Sequence, residues 1–215
     1  MILTTAFGLV RMGWESFKKR PWPLLGAWLV VCVAPELVLW AGGAMVSSTA
    51  PGPNGEPTAA GLIVFGILWV LYWVLYFVLT PGYTGVLLAT ASGQPVRTRD
   101  VFAKWRLGWR YFLATVLWFV VSSVGFLLLI IPGIYIFYRL RLYPFFLVDH
   151  NCGAVESLRL SWAATKGRVL RMLALDLAGF LVILLGFVCL VVGAIPATLV
   201  FSLAWAHFYR EAVSG

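Results

Sequence analysis

Long runs of apolar residues alternate with short polar stretches along the whole chain. Four of these runs reach the ~20 residues that an α-helix needs to cross the hydrocarbon core of a bilayer, at 24–46, 61–90, 111–131 and 172–192. Two shorter runs, at 133–148 and 195–210, each begin beside a proline. The pattern therefore predicts an all-α fold, a polytopic membrane helical bundle with about six transmembrane helices.

Three further segments, at 1–20, 98–109 and 153–167, have apolar residues at steps of three and four with basic residues between them. Each also carries tryptophan, as at Trp14, Trp105 and Trp162. Tryptophan on a basic amphipathic helix is typical of a helix that lies in the headgroup region. We expect interfacial helices here, and ordinary cytoplasmic helices that pack on one another remain the alternative.

The order of these elements suggests a degenerate threefold repeat. Each amphipathic segment leads into an outgoing span, and a proline-marked stretch follows it, in "TPGYTGVLLA", "IPGIYIFYRL" and "IPATLVFSLA". The first unit is longer, because Pro81 stands late in a long second helix, where we expect a kink. Repeats bear on function because many transporters bind their substrate where two repeats meet.

Composition supports the membrane assignment. Hydrophobic residues make up 62% of the 215 residues and charged residues 11%, whereas soluble domains carry about a quarter charged residues. Six spans leave few other residues, so we predict one integral membrane domain over 1–215. The first apolar run is too long for a cleaved signal peptide. Cys32, Cys152 and Cys189 are spread over two spans and a loop, which predicts no disulfide framework.

Basic residues account for the net charge of +8, and those outside the predicted spans lie at the termini and in every second loop. They occur at 11, 18–20, 97–110, 139–141, 159–171 and 210, and the loop between the first two spans has none. The positive-inside rule then places both termini and the basic loops in the cytoplasm. We expect anionic membrane lipid as the partner of this charge and no nucleic acid.

Four charged residues lie inside the predicted spans: Glu36, Arg139, Arg141 and Asp176. At ~1.5 Å per residue, Glu36 lies ~15 Å and Arg139 ~10 Å from the outer surface, so we expect these two to pair. Arg141 would then bend inward or bind a carbonyl, and Asp176 would lie nearer the inner surface. A Glu36–Arg139 pair is either a structural clamp or a substrate or ion site.

The stretch "IIPGIYIFYRLRLYPFFLVDHNCGAVESLRLSWAATKGR" resembles a family of bacterial inner-membrane proteins of the YciC type, which includes the membrane domain fused to some glycerophosphoryl diester phosphodiesterases. The matching motif residues are Pro132, Gly133, Tyr135, Asp149, Glu156, Ser161, Trp162, Thr165 and Gly167. Ser157 stands where alanine is usual. The resemblance implies a multi-pass protein of the bacterial inner membrane. It implies no phosphodiesterase activity, because that catalytic domain is missing.

The motif residues also have a physical interpretation. Pro132 suits the first turn of a helix and Gly133 a tight outer turn, while Gly153 and Gly167 are typical of a helix start and a helix end. A specific lipid-headgroup site is the alternative for the basic residues around this helix: Arg159, Lys166, Arg168 and Arg171.

Candidate catalytic chemistry is sparse. No sequence motif of a serine hydrolase, zinc protease or P-loop occurs, and consecutive residues such as 149–152 rarely converge on one metal ion. We therefore expect no catalytic, cofactor-binding or metal-binding residues, and an intramembrane enzyme is the weakest hypothesis. The favoured function is non-enzymatic organisation or binding of inner-leaflet lipid, or scaffolding of a protein partner or homo-oligomer. A small transporter or channel with a Glu36/Arg139 polar site is the alternative.

Overall fold

A computed structural model of the chain describes residues 2–48, 58–188 and 193–214. The described residues form helices and contain no strand. In chain order the helices are α1 Ile2–Lys19, α2 Pro21–Ser48, α3 Ala59–Ala91, a 3-10 helix Thr98–Leu107, α4 Gly108–Leu128, α5 Ile130–Leu140, α6 Tyr143–His150, α7 Ala154–Ala164, α8 Val169–Val188 and α9 Ala194–Ser214. Most of the loop between α2 and α3 and the end of the predicted 172–192 span lie outside the described residues.

Four helical segments are long and apolar enough to cross a membrane: Pro21–Val46, Ala59–Ala91, Thr98–Leu128 and Val169–Phe187. They coincide with the four long apolar runs of the sequence, which confirms the prediction of an all-α fold with four helices that could span a membrane. Pro81 lies inside α3, which continues to Ala91 without a break. The amphipathic segment at 98–109 is a 3-10 helix that leads directly into α4.

The run at 133–148 does not form a single helix, contrary to the prediction of one span there. It is divided into α5 and α6, with Arg141 and Leu142 in a turn between them. The cause is Pro144 in the first turn of α6, because proline has no N–H to donate to the carbonyl four residues earlier, that of Leu140. Together α5 and α6 still lead from the end of α4 back to its beginning.

The turn between α4 and α5 is also placed differently from the prediction. Leu129 alone has extended backbone dihedrals, and Pro132 already lies within the first turn of α5. Gly133 permits close packing instead of a reversal, since a Cβ atom there would lie 2.7 Å from the Cα atom of Phe126. The two helices therefore meet backbone to backbone just after the turn.

The basic ends of the helices lie together at one end of the bundle. Arg110, at the start of α4, donates to the carbonyl of Asn151 after α6, at 3.1 Å. Arg171, near the start of α8, pairs with Glu211 near the end of α9, at 3.2 Å. Arg20, between α1 and α2, donates to a carbonyl of the loop after α3. Loops from both halves of the chain thus share one surface.

Helix α9 lies at the centre of the bundle. It contacts α1, α2, α3 and α8, and most of its length is buried, as at Leu199, Leu203 and Trp205. In contrast, α2 packs mainly on α3, and α2 and the first half of α3 present wide apolar faces outward. A buried α9 brings its side chains toward the end of α5, where the polar residues of the bundle collect.

Candidate functional site

An ion pair between Arg141 and Asp176 joins the turn after α5 to the middle of α8. The guanidinium NH1 of Arg141 donates to Oδ2 of Asp176, and the hydroxyl of Tyr138 donates to the same oxygen at 2.7 Å. The Arg141 guanidinium also lies 4.3 Å from the ring centroid of Trp205. The side chains of the ion pair are only 29% and 21% exposed, so the pair is a partly buried, aromatic-lined charge site.

The predicted pair of Glu36 and Arg139 is not formed. Oε1 of Glu36 accepts a hydrogen bond from the hydroxyl of Tyr72 at 3.4 Å on the exposed face of α2, beside a groove of about 830 Å³. Within the described parts of the chain, no ion pair involves Arg139. The prediction failed because equal depth does not bring two helices together, and α2 does not pack on α5.

Arg141 and Asp176 were placed at different depths by the sequence, yet they meet. Counted at ~1.5 Å per residue, Arg141 lies ~14 Å above His150 and Asp176 ~8 Å above Arg171. The long arginine side chain is able to span this difference. Tyr138 and Trp205, which complete the site, carry no charge, and the sequence analysis missed them for that reason.

Arg139 is held by aromatic rings instead of a carboxylate. Its side chain is 4% exposed, and its guanidinium carbon lies 4.3 Å from the Trp162 ring centroid and 5.6 Å from that of Tyr135. Its Nε and NH1 atoms have no hydrogen-bond partner among the described residues. A cation on an aromatic face gains up to about 2 kcal/mol when desolvated, so Trp162 stabilises this buried charge.

Two hydroxyls of α7 bind the main chain where α5 ends. The Ser161 hydroxyl donates to the carbonyl of Arg139 at 2.9 Å and accepts from the N–H of Leu142 at 3.1 Å. The Thr165 hydroxyl lies 2.8 Å from the same carbonyl. These side chains satisfy backbone groups that the break between α5 and α6 leaves without a helical partner. The Ser-Trp-x-x-Thr part of the motif thus contacts both the side chain and the main chain of Arg139.

The other motif residues lie at helix ends. Gly167 has a φ of +74°, the left-handed conformation that favours glycine after a helix, and Gly153 precedes the first residue of α7, as predicted. Oδ2 of Asp149 accepts from the hydroxyl of Tyr209 at 2.9 Å, which ties the end of α6 to α9. Glu156 is exposed in the first turn of α7.

The four basic residues proposed for lipid headgroups divide into two pairs. Arg168 and Arg171 bind the main-chain carbonyl and the side chain of Glu211, at 3.3 and 3.2 Å. Arg159, on α7, and Lys166, in the turn after it, are exposed, and their side chains make no hydrogen bond or ion pair among the described residues. The second pair is therefore the one whose charge is available to a ligand.

Cys152 lies on the same side of the bundle, between α6 and α7. Its thiol is buried and donates to the carbonyl of Phe146 at 3.5 Å. Burial raises the pKa of this thiol above its ordinary value, and the nearby carboxylate of Glu156 raises that pKa further. Cys152 is therefore a poorly reactive thiol at neutral pH.

A cavity of about 470 Å³ adjoins the ion pair and lies between α3, α4, α6 and α9. We call it the aromatic cavity and define it by six of its lining residues: Tyr111, Trp118, Arg141, Tyr143, Ser202 and Trp205. The hydroxyls of Thr115 and Tyr143 lie 2.8 Å apart at its edge. Across 2–48, 58–188 and 193–214, no group of three His, Cys, Asp or Glu residues is placed to hold a metal ion.

Comparison with protein-family models, with curated proteins and with solved structures finds no match to this chain.

Proposed function

We propose that the chain is a non-enzymatic, multi-pass protein of the bacterial inner membrane that binds anionic lipid at the cytoplasmic leaflet. The observation that carries the proposal is the occurrence of exposed tryptophan beside exposed basic residues on two amphipathic segments, α1 and the 3-10 helix. Nζ of Lys18 lies 5.2 Å from the Trp14 ring centroid, and the Arg106 guanidinium lies 5.7 Å from that of Trp105. Indole rings and cationic side chains together suit the headgroup region.

The proposal includes six crossings with both termini in the cytoplasm. In addition to the four long apolar helices, α5 and α6 share one crossing, and α9 makes the last. The contacts of Arg110 with Asn151 and of Arg171 with Glu211 support this topology, because they join helix ends that the positive-inside rule assigns to the same side.

The proposal also includes the threefold repeat of amphipathic segment, outgoing helix and return. The supporting observation is the way in which the amphipathic segments pack. The 3-10 helix of the second unit packs on α3 of the first, α7 of the third packs on α4 to α6 of the second, and α1 of the first packs on α8 and α9 of the third. The amphipathic segments of the second and third units thus each pack on the unit before them. The segment of the first unit packs on the third unit.

Membership of the YciC-type family remains part of the proposal. The residues that carry the resemblance have joint physical roles here, since Tyr135, Ser161, Trp162 and Thr165 all contact Arg139. A pattern of residues that supports one buried arginine is a reason for those residues to occur together in a family.

Thermal melting in detergent with added phosphatidylglycerol or phosphatidylcholine tests the lipid proposal. We expect phosphatidylglycerol to raise Tm more than phosphatidylcholine, and the difference to shrink in the double variant Arg159→Gln/Lys166→Gln. The matched control, Arg159→Lys/Lys166→Arg, keeps both charges and should keep the difference. Equal stabilisation by the two lipids, or an unchanged difference in the neutral variant, would overturn the proposal.

A small transporter is the second candidate function. The observation that favours it is the Arg141–Asp176 pair beside the aromatic cavity, because ionisable residues inside a membrane bundle commonly mark a substrate or ion pathway. Proteoliposomes that show flux with the native chain and lose it with Asp176→Asn would favour transport. Proteoliposomes without flux of protons or anions would leave lipid binding as the better account.

A further inference from the structure

The guanidinium of Arg141 presents hydrogen-bond donors to the aromatic cavity that the protein itself does not use. The indole Nε1 atoms of Trp118 and Trp205 are buried and have no partner among the described residues, and the Trp205 side chain is only 5% exposed. Arg141 has five N–H donors, and in the described structure its guanidinium makes one hydrogen bond, to Asp176. Each of these three side chains can donate and none can accept.

In the described parts of the chain, no hydroxyl group that lines the cavity forms a hydrogen bond with these donors. The hydroxyl of Thr115 donates to the Tyr111 carbonyl at 2.8 Å, so the hydroxyl of Tyr143 is the donor in its contact with Thr115. The Ser202 hydroxyl donates to the Thr198 carbonyl at 2.9 Å. Donors of Arg141 without partners are costly in this apolar environment, so a ligand with acceptor oxygens would gain from meeting them.

The walls of the cavity are apolar and aromatic. Its lining includes Phe137 and Phe201 in addition to the indole and phenol rings, and its volume of about 470 Å³ lies within the range of ligand sites. It lies within a bundle of membrane-spanning helices, where the available ligands have hydrocarbon chains. The guanidinium of Arg141 already covers the face of Trp205 at 4.3 Å, so a cationic head would meet a like charge there.

We propose that the aromatic cavity binds a single-chain amphiphile with an anionic oxygen head, a fatty acid carboxylate or an alkyl phosphate. The head accepts hydrogen bonds from the guanidinium of Arg141, and the chain lies against the aromatic rings, including those of Trp118 and Trp205. This site is separate from the basic surface that Arg159 and Lys166 form at α7 and the turn after it. It does not depend on lipid binding at that surface.

Native mass spectrometry of the purified full chain in detergent tests the proposal with four probes. Dodecyl phosphate and oleate represent the two anionic heads, dodecyltrimethylammonium has a cationic head, and inorganic phosphate has no chain. We expect one equivalent of dodecyl phosphate or oleate to bind, and neither of the other two. Binding of dodecyltrimethylammonium with equal affinity, or of inorganic phosphate as tightly as dodecyl phosphate, would overturn the proposal.

Substitutions locate the site. Arg141→Lys keeps the positive charge but removes the guanidinium donors, and we expect about tenfold weaker binding, as for the loss of one hydrogen bond to a charged group. Ser202→Phe places a ring in the cavity and should abolish binding. Trp69→Phe, on the outer face of α3, is the matched control and should bind as the native chain does. Native affinity in both cavity variants would overturn the proposal.

Photolabelling of the native chain tests the location of the binding site if the cavity variants do not fold. A fatty acid with a diazirine group near its carboxylate is photolysed with the native chain, and the labelled peptides are identified. Labels on α4 and α9 support the cavity, whereas labels confined to α7 or the 3-10 helix contradict it. Because Arg159→Gln/Lys166→Gln should leave this labelling unchanged, failure of the cavity site and failure of lipid binding at the basic surface are distinguishable.

Discussion

Arg141 and Asp176 form an ion pair between the turn after α5 and the middle of α8, with the hydroxyl of Tyr138 on the same carboxylate oxygen. Loss of one partner leaves a charge in a mostly buried, apolar environment. We expect Arg141→Gln or Asp176→Asn alone to lower the free energy of unfolding by about 3 kcal/mol, the lower end of the range for buried pairs. The double variant should lose less than the sum of the two.

Denaturant unfolding in detergent micelles measures these free energies as a double-mutant cycle. The exposed pair Arg11–Glu15 on α1, with side chains 82% and 56% exposed, is the matched control and should show a coupling energy of about 0.5 kcal/mol or less. Strictly additive losses for Arg141 and Asp176 would show that the two charges do not stabilise each other.

Ser161 bridges the carbonyl of Arg139 and the N–H of Leu142, so its hydroxyl joins α7 to the break between α5 and α6. Ser161→Ala leaves the buried N–H of Leu142 without an acceptor, and we expect a loss of about 1–3 kcal/mol in the free energy of unfolding. Ser157→Ala is the control, because the hydroxyl of Ser157 binds only the Ala154 carbonyl of its own helix. If the two alanine variants melt at the same temperature, the bridge does not stabilise the break.

Gly82 lies where α3 crosses the 3-10 helix, and a Cβ atom there would overlap the main-chain carbonyl of Val101. Gly82→Ala should therefore destabilise the protein by about 1–3 kcal/mol or more, since backbone atoms cannot move aside as a flexible side chain can. Gly85→Ala, one turn later, has its nearest neighbouring atom at 3.5 Å and gains helix propensity. Melting curves should show opposite signs for these two variants, and a stable Gly82→Ala protein would contradict the close crossing.

The sequence predicted the elements of the fold better than their contacts. Hydrophobic run length is a property of each segment alone, so the four long spans and the extents of α1 and α7 followed from the pattern. The break between α5 and α6 was also readable, because Pro144 removes a helical hydrogen bond. The apolar composition around it favoured a single span instead, since proline is tolerated in membrane helices.

The polar site was only half predictable. Burying a charge in a membrane is costly, so Arg141 and Asp176 stood out in the sequence. Their partnership did not, because residue counting gives depth along a helix but not which helices are neighbours or which way each one faces. Ser161 and Thr165 were known only as part of a motif. Their contact with the Arg139 carbonyl depends on the packing of α7 against α5, which leaves no periodic signal in either segment.

Cys152 offers a test of the packing between α6 and α7 through its titration. Burial and Glu156 both raise the pKa of its thiol, so at any pH near 8 a smaller fraction is thiolate than for an ordinary cysteine. The measurement is the rate of alkylation by iodoacetamide as a function of pH, and its midpoint is the pH at which the rate is half maximal. The midpoint for Cys152, in a chain with Cys32→Ser and Cys189→Ser, should be higher than that of a reference thiol, introduced by Ser214→Cys in a cysteine-free chain.

Glu156→Gln should lower the midpoint of Cys152, because it removes a negative charge that disfavours the thiolate. Arg110→Gln should raise that midpoint, because the arginine favours the thiolate. Denaturation should bring the midpoints of all variants together, and a native Cys152 that titrates like the reference thiol would contradict its burial between α6 and α7.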